Sequence, residues 1–241
     1  MKAQPFSFKE FTVKQDKTAM KIGTDAVLLG SWCSIKNTQD SILDIGSGTG
    51  IIALMLAQRS NASTIDAVEI DGNAYEQSAE NFEDSVWADR LYCYHASFNE
   101  FVNEIEEEEE TYDLIISNPP FYTDNFETAN LARNKARFTS SLPFEDLLEG
   151  VSKILSKQGI FATIIPFKEE VRFISLANKK NLFLNRVCHV KGNSTSDIKR
   201  SLLEFSFQQK DIKREKLIIE NSRHNYTDDY INLTKNFYMK M

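Results

Sequence analysis

The sequence predicts an α/β domain with a seven-stranded, mostly parallel sheet that contains one antiparallel strand. Short apolar runs alternate with amphipathic segments along most of the chain, and this alternation is typical of successive βαβ units. The first of these runs ends directly in a glycine-rich loop that leads into a helical pattern. The last two long apolar runs follow each other without a helix between them, so we expect their strands to be antiparallel.

The seven strands are predicted at 41–45, 64–70, 91–95, 112–117, 159–165, 182–190 and 202–208. Helices are predicted at 49–59, 72–84, 99–107, 143–156, 168–180 and 226–238, and 217–220 is a candidate for one more strand. The segment 121–142 is polar and aromatic without a clear period, which favours a loop or a mobile helix.

The first 35 residues lie outside this repeat. They hold a strand-like piece with apolar residues between Phe6 and Val13, and a helical pattern at 24–32. We therefore expect two parts, an N-terminal strand and helix extension (1–35) and a main domain (36–241). The extension is expected to pack on the ligand site of the main domain.

The composition is that of an ordinary globular protein, with 41% hydrophobic and 26% charged residues among 241. No apolar run approaches the roughly 20 residues of a membrane span, and the N-terminus lacks the pattern of a secretory signal. The three cysteines are scattered and have no CxxC spacing, so we expect reduced thiols rather than a metal site or disulfides. We expect a cytoplasmic monomer with no metal and no membrane partner.

The net charge of −7 conceals two halves of opposite sign. Residues 1–130 hold 8 Lys/Arg and 23 Asp/Glu, a net charge of −15, whereas residues 131–223 hold 18 and 10, a net charge of +8. Local patches decide anion binding. A basic surface in the second half therefore remains compatible with a nucleic-acid partner, despite the negative net charge.

The glycine-rich loop after the first strand reads Asp44-Ile45-Gly46-Ser47-Gly48-Thr49-Gly50. Glycines let backbone approach a ligand closely, and such a loop alone could serve NAD, FAD or a plain turn. Asp44 would repel a pyrophosphate but could accept hydrogen bonds from a cationic amino-acid group.

The second predicted strand ends near Glu69, whose carboxylate could hold both hydroxyls of a ribose. Asp71 follows it and could do the same or cap the next helix. A ligand with a ribose, an amino acid and no phosphate fits Asp44, Glu69 and the glycines Gly46, Gly48 and Gly50. These residues therefore favour S-adenosyl-L-methionine as the cofactor.

The tetrapeptide Asn118-Pro119-Pro120-Phe121, followed by Tyr122, leaves the fourth strand. In open α/β sheets ligands bind beyond the carboxyl ends of the strands. The Asn118 side-chain oxygen and the Pro119 carbonyl could each accept one hydrogen of a planar amine or amide, which would aim the nitrogen lone pair at a methyl donor. The prolines fix the backbone, and Phe121 or Tyr122 could stack on a planar substrate. Methylation of such a nitrogen is the chemistry that this motif favours.

With these motifs, the chain resembles the Rossmann-like class I methyltransferases, and more closely the bacterial tRNA1(Val) adenosine methyltransferases, which modify adenosine 37 beside the anticodon at its exocyclic amine. The resemblance covers nearly the whole chain. It rests on the block Met20 to Asp25, on Leu43 to Gly46, on Asp66 to Glu69, on Asp113 to Pro120, on Ala136-Arg137, and on Asn225-Tyr226 with Phe237-Tyr238.

The resemblance implies that Lys21, Thr24 and Asp25 help close the amino-acid end of the cofactor, and that Asn118 to Phe121 hold the target adenine. Many such enzymes place an Asp after the third strand to contact the cofactor's adenine, and here Ser97 stands at that position. Basic residues follow the tetrapeptide, and Arg133, Lys135 and Arg137 are the candidates for tRNA contact.

Other functions use the same Asn-Pro-Pro chemistry. They are protein-glutamine N5-methylation, guanine-N2 methylation of rRNA and adenine methylation of DNA, and a non-catalytic cofactor-binding module is a further alternative. A protein-glutamine enzyme is disfavoured because the chain has no large N-terminal helical domain for a protein partner.

Overall fold

The structure, a computed structural model, describes residues 3–120 and 142–241. The strands in these ranges are β1 (Phe6–Ser7), β2 (Thr12–Val13), β3 (Ser41–Ile45), β4 (Thr64–Glu69), β5 (Leu91–His95), β6 (Tyr112–Ser117), β7 (Leu155–Pro166), β8 (Phe183–Asn193), β9 (Ile198–Ser206), β10 (Lys213–Ser222) and β11 (Asn225–Tyr226). The helices are α1 (Thr24–Trp32), α2 (Ile51–Arg59), α3 (Gly72–Glu83), α4 (Phe98–Glu107), α5 (Phe144–Ile154), α6 (Glu170–Lys179) and α7 (Asp228–Thr234).

The main sheet has the strand order β11-β10-β8-β9-β7-β6-β3-β4-β5. Strands β3 to β7 pair in parallel, and β8 pairs in parallel with β10. Strand β9 is antiparallel to both of its neighbours, β7 and β8. The expected α/β sheet with one antiparallel strand among its seven main strands is confirmed, and β10 and β11 extend it to nine strands.

Both faces of this sheet are covered, which explains why its central strands are continuous apolar runs. Ile42 of β3 and Leu114 of β6 belong to a core that they share with α1 and α2. Their neighbours Leu43 and Ile115 belong to a second core, formed with α4, α5 and α6. With helices on both faces, the carboxyl edge of the sheet is the place where a ligand can reach the strand ends.

Several boundaries differ from the expectation, and strand β9 begins at Ile198 rather than at 202. Strand β10 spans Lys213–Ser222 rather than 217–220, because pairing with β8 extends into its charged first residues. The last helix is only Asp228–Thr234, and the Thr227 side chain caps it by accepting from Tyr230 N–H. Strand β7 begins at Leu155, directly after α5, so the helix is shorter than expected there.

The N-terminal residues are fixed to the end of the chain. Strands β1 and β2 form a two-stranded antiparallel sheet, and Lys9 N–H donates to Phe237 O at 2.8 Å. Lys9 Nζ donates to Lys235 O and Met241 O at 2.5 and 3.1 Å. The chain then passes α3 as a segment without regular secondary structure, residues 14–20, which we call the strap. In the described ranges no helix has both the length and the apolar character to cross a membrane.

Candidate active site

The carboxyl ends of β3 and β6 meet at the centre of the sheet. Ile45 pairs with Ser117, and Ser117 Oγ donates to Ile45 O at 3.0 Å. The glycine loop and Asn118 therefore leave neighbouring strands at the same edge. On one side of this point the sheet continues through β4 and β5, and on the other through β7, which makes it the switch point where open α/β sheets bind ligands.

A cleft lies at this point, and eight residues singled out from the sequence line it: Gly46, Gly48, Glu69, Asp71, Ser97, Asn118, Pro119 and Pro120. The strand ends and the residues next to them supply six more, which are Ile45, Val68, Ile70, Ala74, Ala96 and Ser117. The others are the strap residues Thr18, Ala19 and Met20, the α4 residues Phe98 and Asn99, and Leu142, Pro143 and Asp146 before and within α5. Five predicted site residues lie outside the described residues: Phe121, Tyr122, Arg133, Lys135 and Arg137.

The glycine loop uses all three glycines in the left-handed region, with φ of 73° at Gly46, 59° at Gly48 and 74° at Gly50. A Cβ at Gly46 or Gly48 would meet nothing within 4 Å, so their backbone is open to the cleft. A Cβ at Gly50 would lie 2.5 Å from Phe82 Cε1. Gly50 is therefore needed for packing against α3, and it is not among the lining residues.

Glu69 ends β4 with only 7% of its surface exposed. Its Oε2 accepts from Gly48 N–H and its Oε1 from Asp71 N–H, both at 2.9 Å. Burial raises the pKa of this carboxyl, and the N–H groups of Asp71 and Gly48 oppose that rise. Each carboxylate oxygen can accept a second hydrogen bond. Asp71 caps α3 by accepting from Ala74 N–H at 2.9 Å, which leaves Glu69 as the acid suited to two hydroxyls.

Asp44 is fully buried behind the loop rather than in the cleft wall. Its Oδ2 accepts from Ala53 N–H at 3.2 Å, whereas its Oδ1 has no partner among the described residues. Burial raises the pKa of this carboxyl to about 7. A buried acceptor without a partner normally pairs with a ligand, ion or water, so Asp44 is suited to a cation that enters beneath the loop.

Ser97 lines the cleft, but its hydroxyl takes part in a helix cap. Ser97 Oγ donates to Glu100 Oε2 at 2.6 Å and accepts from Glu100 N–H at 3.3 Å. The second of these bonds, together with the bond from Ser97 N–H to Glu100 Oε2 at 3.0 Å, forms a capping box at the start of α4. Asn99, two residues later, is exposed and also lines the cleft. Asn99 is therefore a second candidate, beside Ser97, for contact with a planar ring at this end.

Lys21, Thr24 and Asp25 are not among the lining residues. Lys21 Nζ donates to the carbonyl oxygens of Gln15 and Thr18, the latter at 2.7 Å, so it supports the strap. Asp25 pairs with Arg200 Nε at 2.8 Å. Thr24 is the first residue of α1. In the described residues, the strap that precedes Lys21 lines the cleft instead. A direct role for Lys21, Thr24 and Asp25 stays a prediction.

The basic clusters of the second half are dispersed. Lys213, Arg214 and Lys216 lie in the first half of β10, at the sheet edge opposite the cleft. Lys180 pairs with Glu149 on α5. Among the basic clusters within residues 142–241, Lys199 and Arg200 lie on the same edge as the cleft, at the start of the antiparallel β9. Within the described ranges no cluster of three or more His, Cys, Asp or Glu could hold a metal ion.

Comparison with known proteins agrees with this geometry. The "methyltransferase small domain" family matches residues 19–139. Among solved structures, a predicted O-methyltransferase from Agrobacterium tumefaciens superposes with a TM-score of 0.69 at 17% identity, over 88% of this chain and 96% of that one. A putative class I S-adenosylmethionine-dependent methyltransferase from Listeria monocytogenes gives 0.52 at 16% identity, over 80% and 62%. These structures share the fold.

Curated relatives match the whole chain. Proteins named tRNA1(Val) (adenine(37)-N6)-methyltransferase are 54% identical in Christiangramia forsetii, over 100% of both chains, and 56% identical in Flavobacterium psychrophilum, over 98% of this chain and 100% of that one. The protein of that name in Bacteroides fragilis is 45% identical over 99% and 100%. The chain belongs to the tRNA1(Val) (adenine(37)-N6)-methyltransferase family.

Proposed function

We propose that this protein transfers the methyl group of S-adenosyl-L-methionine to the exocyclic N6 amine of adenosine 37 in a valine tRNA. The observation that carries the proposal is the position of Asn118, Pro119 and Pro120 beside the glycine loop and Glu69 in one cleft. Relatives that match the full chain and carry this activity in their names support the choice of substrate.

The residues present fit the cofactor. Glu69 keeps one free lone pair on each oxygen for the two ribose hydroxyls, and the open backbone at Gly46 and Gly48 allows close approach. The unpartnered Oδ1 of Asp44 suits the cationic amino-acid end, and Asn99 is our candidate for the adenine. When bound, S-adenosyl-L-methionine supplies an electrophilic methyl group on a sulfonium.

The reaction needs orientation more than a strong base, because the N6 lone pair is delocalised into the ring. Asn118 Oδ1 accepts one N6 hydrogen and the Pro119 carbonyl accepts the other, which turns the lone pair towards the methyl group. With the amine held in this way, the bound cofactor would supply its methyl group to the nitrogen, and the extra proton of the methylated nitrogen would pass to water. Two consecutive prolines hold the accepting carbonyl in place, so the geometry exists before the substrate arrives.

The remaining assignments follow from the same proposal. Phe121 and Tyr122 stack on the target base, and Arg133, Lys135 and Arg137 contact tRNA phosphates. Residues 1–35 form an extension that packs on the cofactor site of residues 36–241, as the lining residues Thr18 to Met20 suggest. Lys21, Thr24 and Asp25 act at this site by supporting the strap and the start of α1. We propose a monomer that works in the cytoplasm without a metal.

The decisive experiment is methyl transfer from labelled cofactor to total tRNA from cells that lack this protein, followed by nucleoside analysis. N6-methyladenosine at position 37 of valine tRNA is the expected product, and its absence from tRNA rejects the proposal. Asn118→Ala should lower kcat by about 100-fold and leave the Kd for S-adenosyl-L-methionine nearly unchanged. If this variant instead loses cofactor binding, the role assigned to Asn118 is wrong.

The phosphate contacts have a separate test. Arg137→Ala should weaken tRNA binding and reduce the slope of log K against log salt by about 0.7–0.9 for one lost phosphate contact. An unchanged slope rejects the contact for Arg137 but leaves the methyl-transfer chemistry intact.

A further inference from the structure

Helix α3 buries polar side chains on the face that it turns towards the cleft. Ala74, Gln77, Ser78 and Asn81 recur at the spacing of one helix face, and Gln77, Ser78 and Asn81 are 0%, 0% and 1% exposed. Side-chain amides are seldom fully buried, and when they are buried they are hydrogen-bonded. Their partners therefore show what this face holds in place.

The amide of Asn81 joins two segments that each supply lining residues to the cleft, the strap and the glycine loop. Its Oδ1 accepts from Lys14 N–H at 2.8 Å, and its Nδ2 donates to Lys14 O at 2.9 Å. The same Nδ2 donates to Thr49 O, also at 2.9 Å. Lys14 begins the strap and Thr49 lies in the glycine loop, so one side chain uses both of its donors to fix the strap relative to the loop.

One turn earlier, Gln77 continues this attachment along the strap. Gln77 Oε1 accepts from Lys17 N–H at 2.9 Å. Between the two amides, Ser78 Oγ donates to Gly48 O at 3.3 Å and lies 3.0 Å from Ser47 Oγ. The face of α3 therefore contacts the strap and the glycine loop at successive points, just below Thr18 to Met20.

The charged contacts between strap and helix are weaker candidates for this role. Lys14 Nζ lies 2.8 Å from Glu80 and 2.7 Å from Asp84, and Lys17 Nζ lies 3.1 Å from Glu80. Both lysine side chains are 38% exposed, and exposed ion pairs contribute little to stability because water and salt screen them. The buried amides bind backbone groups, which leaves the strap little freedom to shift.

We propose that Asn81 and Gln77 are positioning residues that set the distance between the strap and the glycine loop, and so determine how tightly the cleft binds S-adenosyl-L-methionine. Neither residue lines the cleft, and neither do the residues that they bind; each acts through backbone next to the lining residues Thr18 and Gly48. This inference rests on the proposed function, because it takes the cleft to be the cofactor site. It predicts an effect on cofactor affinity rather than on the chemical step, since Asn118 and Pro119 lie on the other side of the cleft.

The test compares Asn81→Ala and Gln77→Met with Gln39→Ala in the full chain. Gln77→Met keeps the side-chain volume and removes only the amide. Gln39 is a matched control, because it is 6% exposed and its Oε1 accepts from Lys36 N–H at 2.8 Å, but it precedes β3 at the opposite edge of the sheet. The measurements are the Kd for S-adenosyl-L-methionine by calorimetry, kcat and the KM for the cofactor in tRNA methylation, and the melting temperature.

We expect Asn81→Ala to raise both Kd and KM for the cofactor by about 10-fold, equivalent to about 1.4 kcal/mol, with kcat at saturating cofactor nearly unchanged. Gln77→Met should raise both by a smaller factor and melt close to wild type. Gln39→Ala should lower the melting temperature and leave Kd unchanged. These three outcomes together support a positioning role.

The inference is overturned if Asn81→Ala lowers the melting temperature as Gln39→Ala does and leaves Kd unchanged. Should Asn81→Ala fail to fold, an unchanged Kd in Gln77→Met overturns it as well. Wild-type protein that binds the cofactor but methylates no tRNA rejects the proposed substrate and leaves this inference standing. Wild-type protein that does not bind S-adenosyl-L-methionine rejects both.

Discussion

The buried carboxyl of Asp44 makes the stability of the protein depend on pH. The side chain is fully buried, one oxygen accepts only from Ala53 N–H, and the other has no partner in the described residues. Its removal from water raises the pKa from 3.8 to about 7. Asp44→Asn keeps the shape and the acceptor but cannot ionise, so it isolates this effect.

The sign follows from proton binding in the two states. Between pH 3.8 and about 7 the unfolded chain loses this proton while the folded chain keeps it, so the free energy of unfolding falls as pH rises. The difference between the two pKa values corresponds to about 4 kcal/mol at about 1.36 kcal/mol per pKa unit. About 2.5 kcal/mol of this is lost between roughly pH 5 and pH 8.

Urea unfolding of the wild type and of Asp44→Asn at pH 5 and pH 8 measures this change in the free energy of unfolding. Asp44→Asn should be more stable than the wild type at pH 8, and the difference between the two should shrink by about 2.5 kcal/mol at pH 5. Equal pH dependence in both proteins refutes the reasoning.

Cofactor binding gives an independent measurement on the same residue. A cation beside Asp44 favours the ionised form, so the wild-type Kd for S-adenosyl-L-methionine should be about 10-fold lower at pH 8 than at pH 6. Asp44→Asn should bind more weakly and show no such dependence. The same substitution would then stabilise the fold and impair the site.

Three further substitutions test individual parts of the cleft. Glu69→Gln should raise the Kd for S-adenosyl-L-methionine at least about 10-fold, because one of the two hydroxyl acceptors becomes a donor; calorimetry showing an unchanged Kd would contradict the ribose assignment. Ser97→Ala should lower the free energy of unfolding in urea by about 1 kcal/mol, because the helix cap is lost, and should change the Kd for the cofactor little. Asn99→Ala should raise that Kd. The reverse pattern would assign the adenine contact to Ser97. Gly50→Ala should destabilise by about 2 kcal/mol or more, because φ is 74° and the new Cβ lies 2.5 Å from Phe82; unfolding at the wild-type urea midpoint would show that this packing is wrong.

The fold was predictable because its main strands are buried on both sides. Ile42 and Leu43 pack into opposite cores, so β3 is apolar at successive positions. Such a strand is recognised as a continuous apolar run, without alternation of apolar and polar residues. Strand β10 was only partly predicted, since its charged first residues Lys213 and Arg214 belong to a strand through pairing with β8 rather than through burial.

The part of the site next to the strand ends was also predictable, since Gly46 and Asn118 directly follow β3 and β6, and Glu69 is the last residue of β4. Ser97 and Glu100 have the spacing of a capping box, so the sequence also predicts that the Ser97 hydroxyl caps a helix. The strap could not be placed in this way. Its position depends on Asn81 and Gln77, which lie at least 60 residues further along the chain, and no local pattern encodes such contacts.

The attachment of the N-terminal residues to the end of the chain has a consequence for synthesis. The hairpin of β1 and β2 leads directly into the strap, and its Lys9 is held by Phe237, Lys235 and Met241. A growing chain contains β3, β4 and β6 long before these last residues exist, because all three strands are complete by Ser117. The strap is held by Gln77 and Asn81, whereas the hairpin that leads into it is anchored only once residues 235–241 have been added. A chain that stops before these residues holds a strap fixed to α3 alone, and we expect it to bind the cofactor more weakly than the chain that includes them.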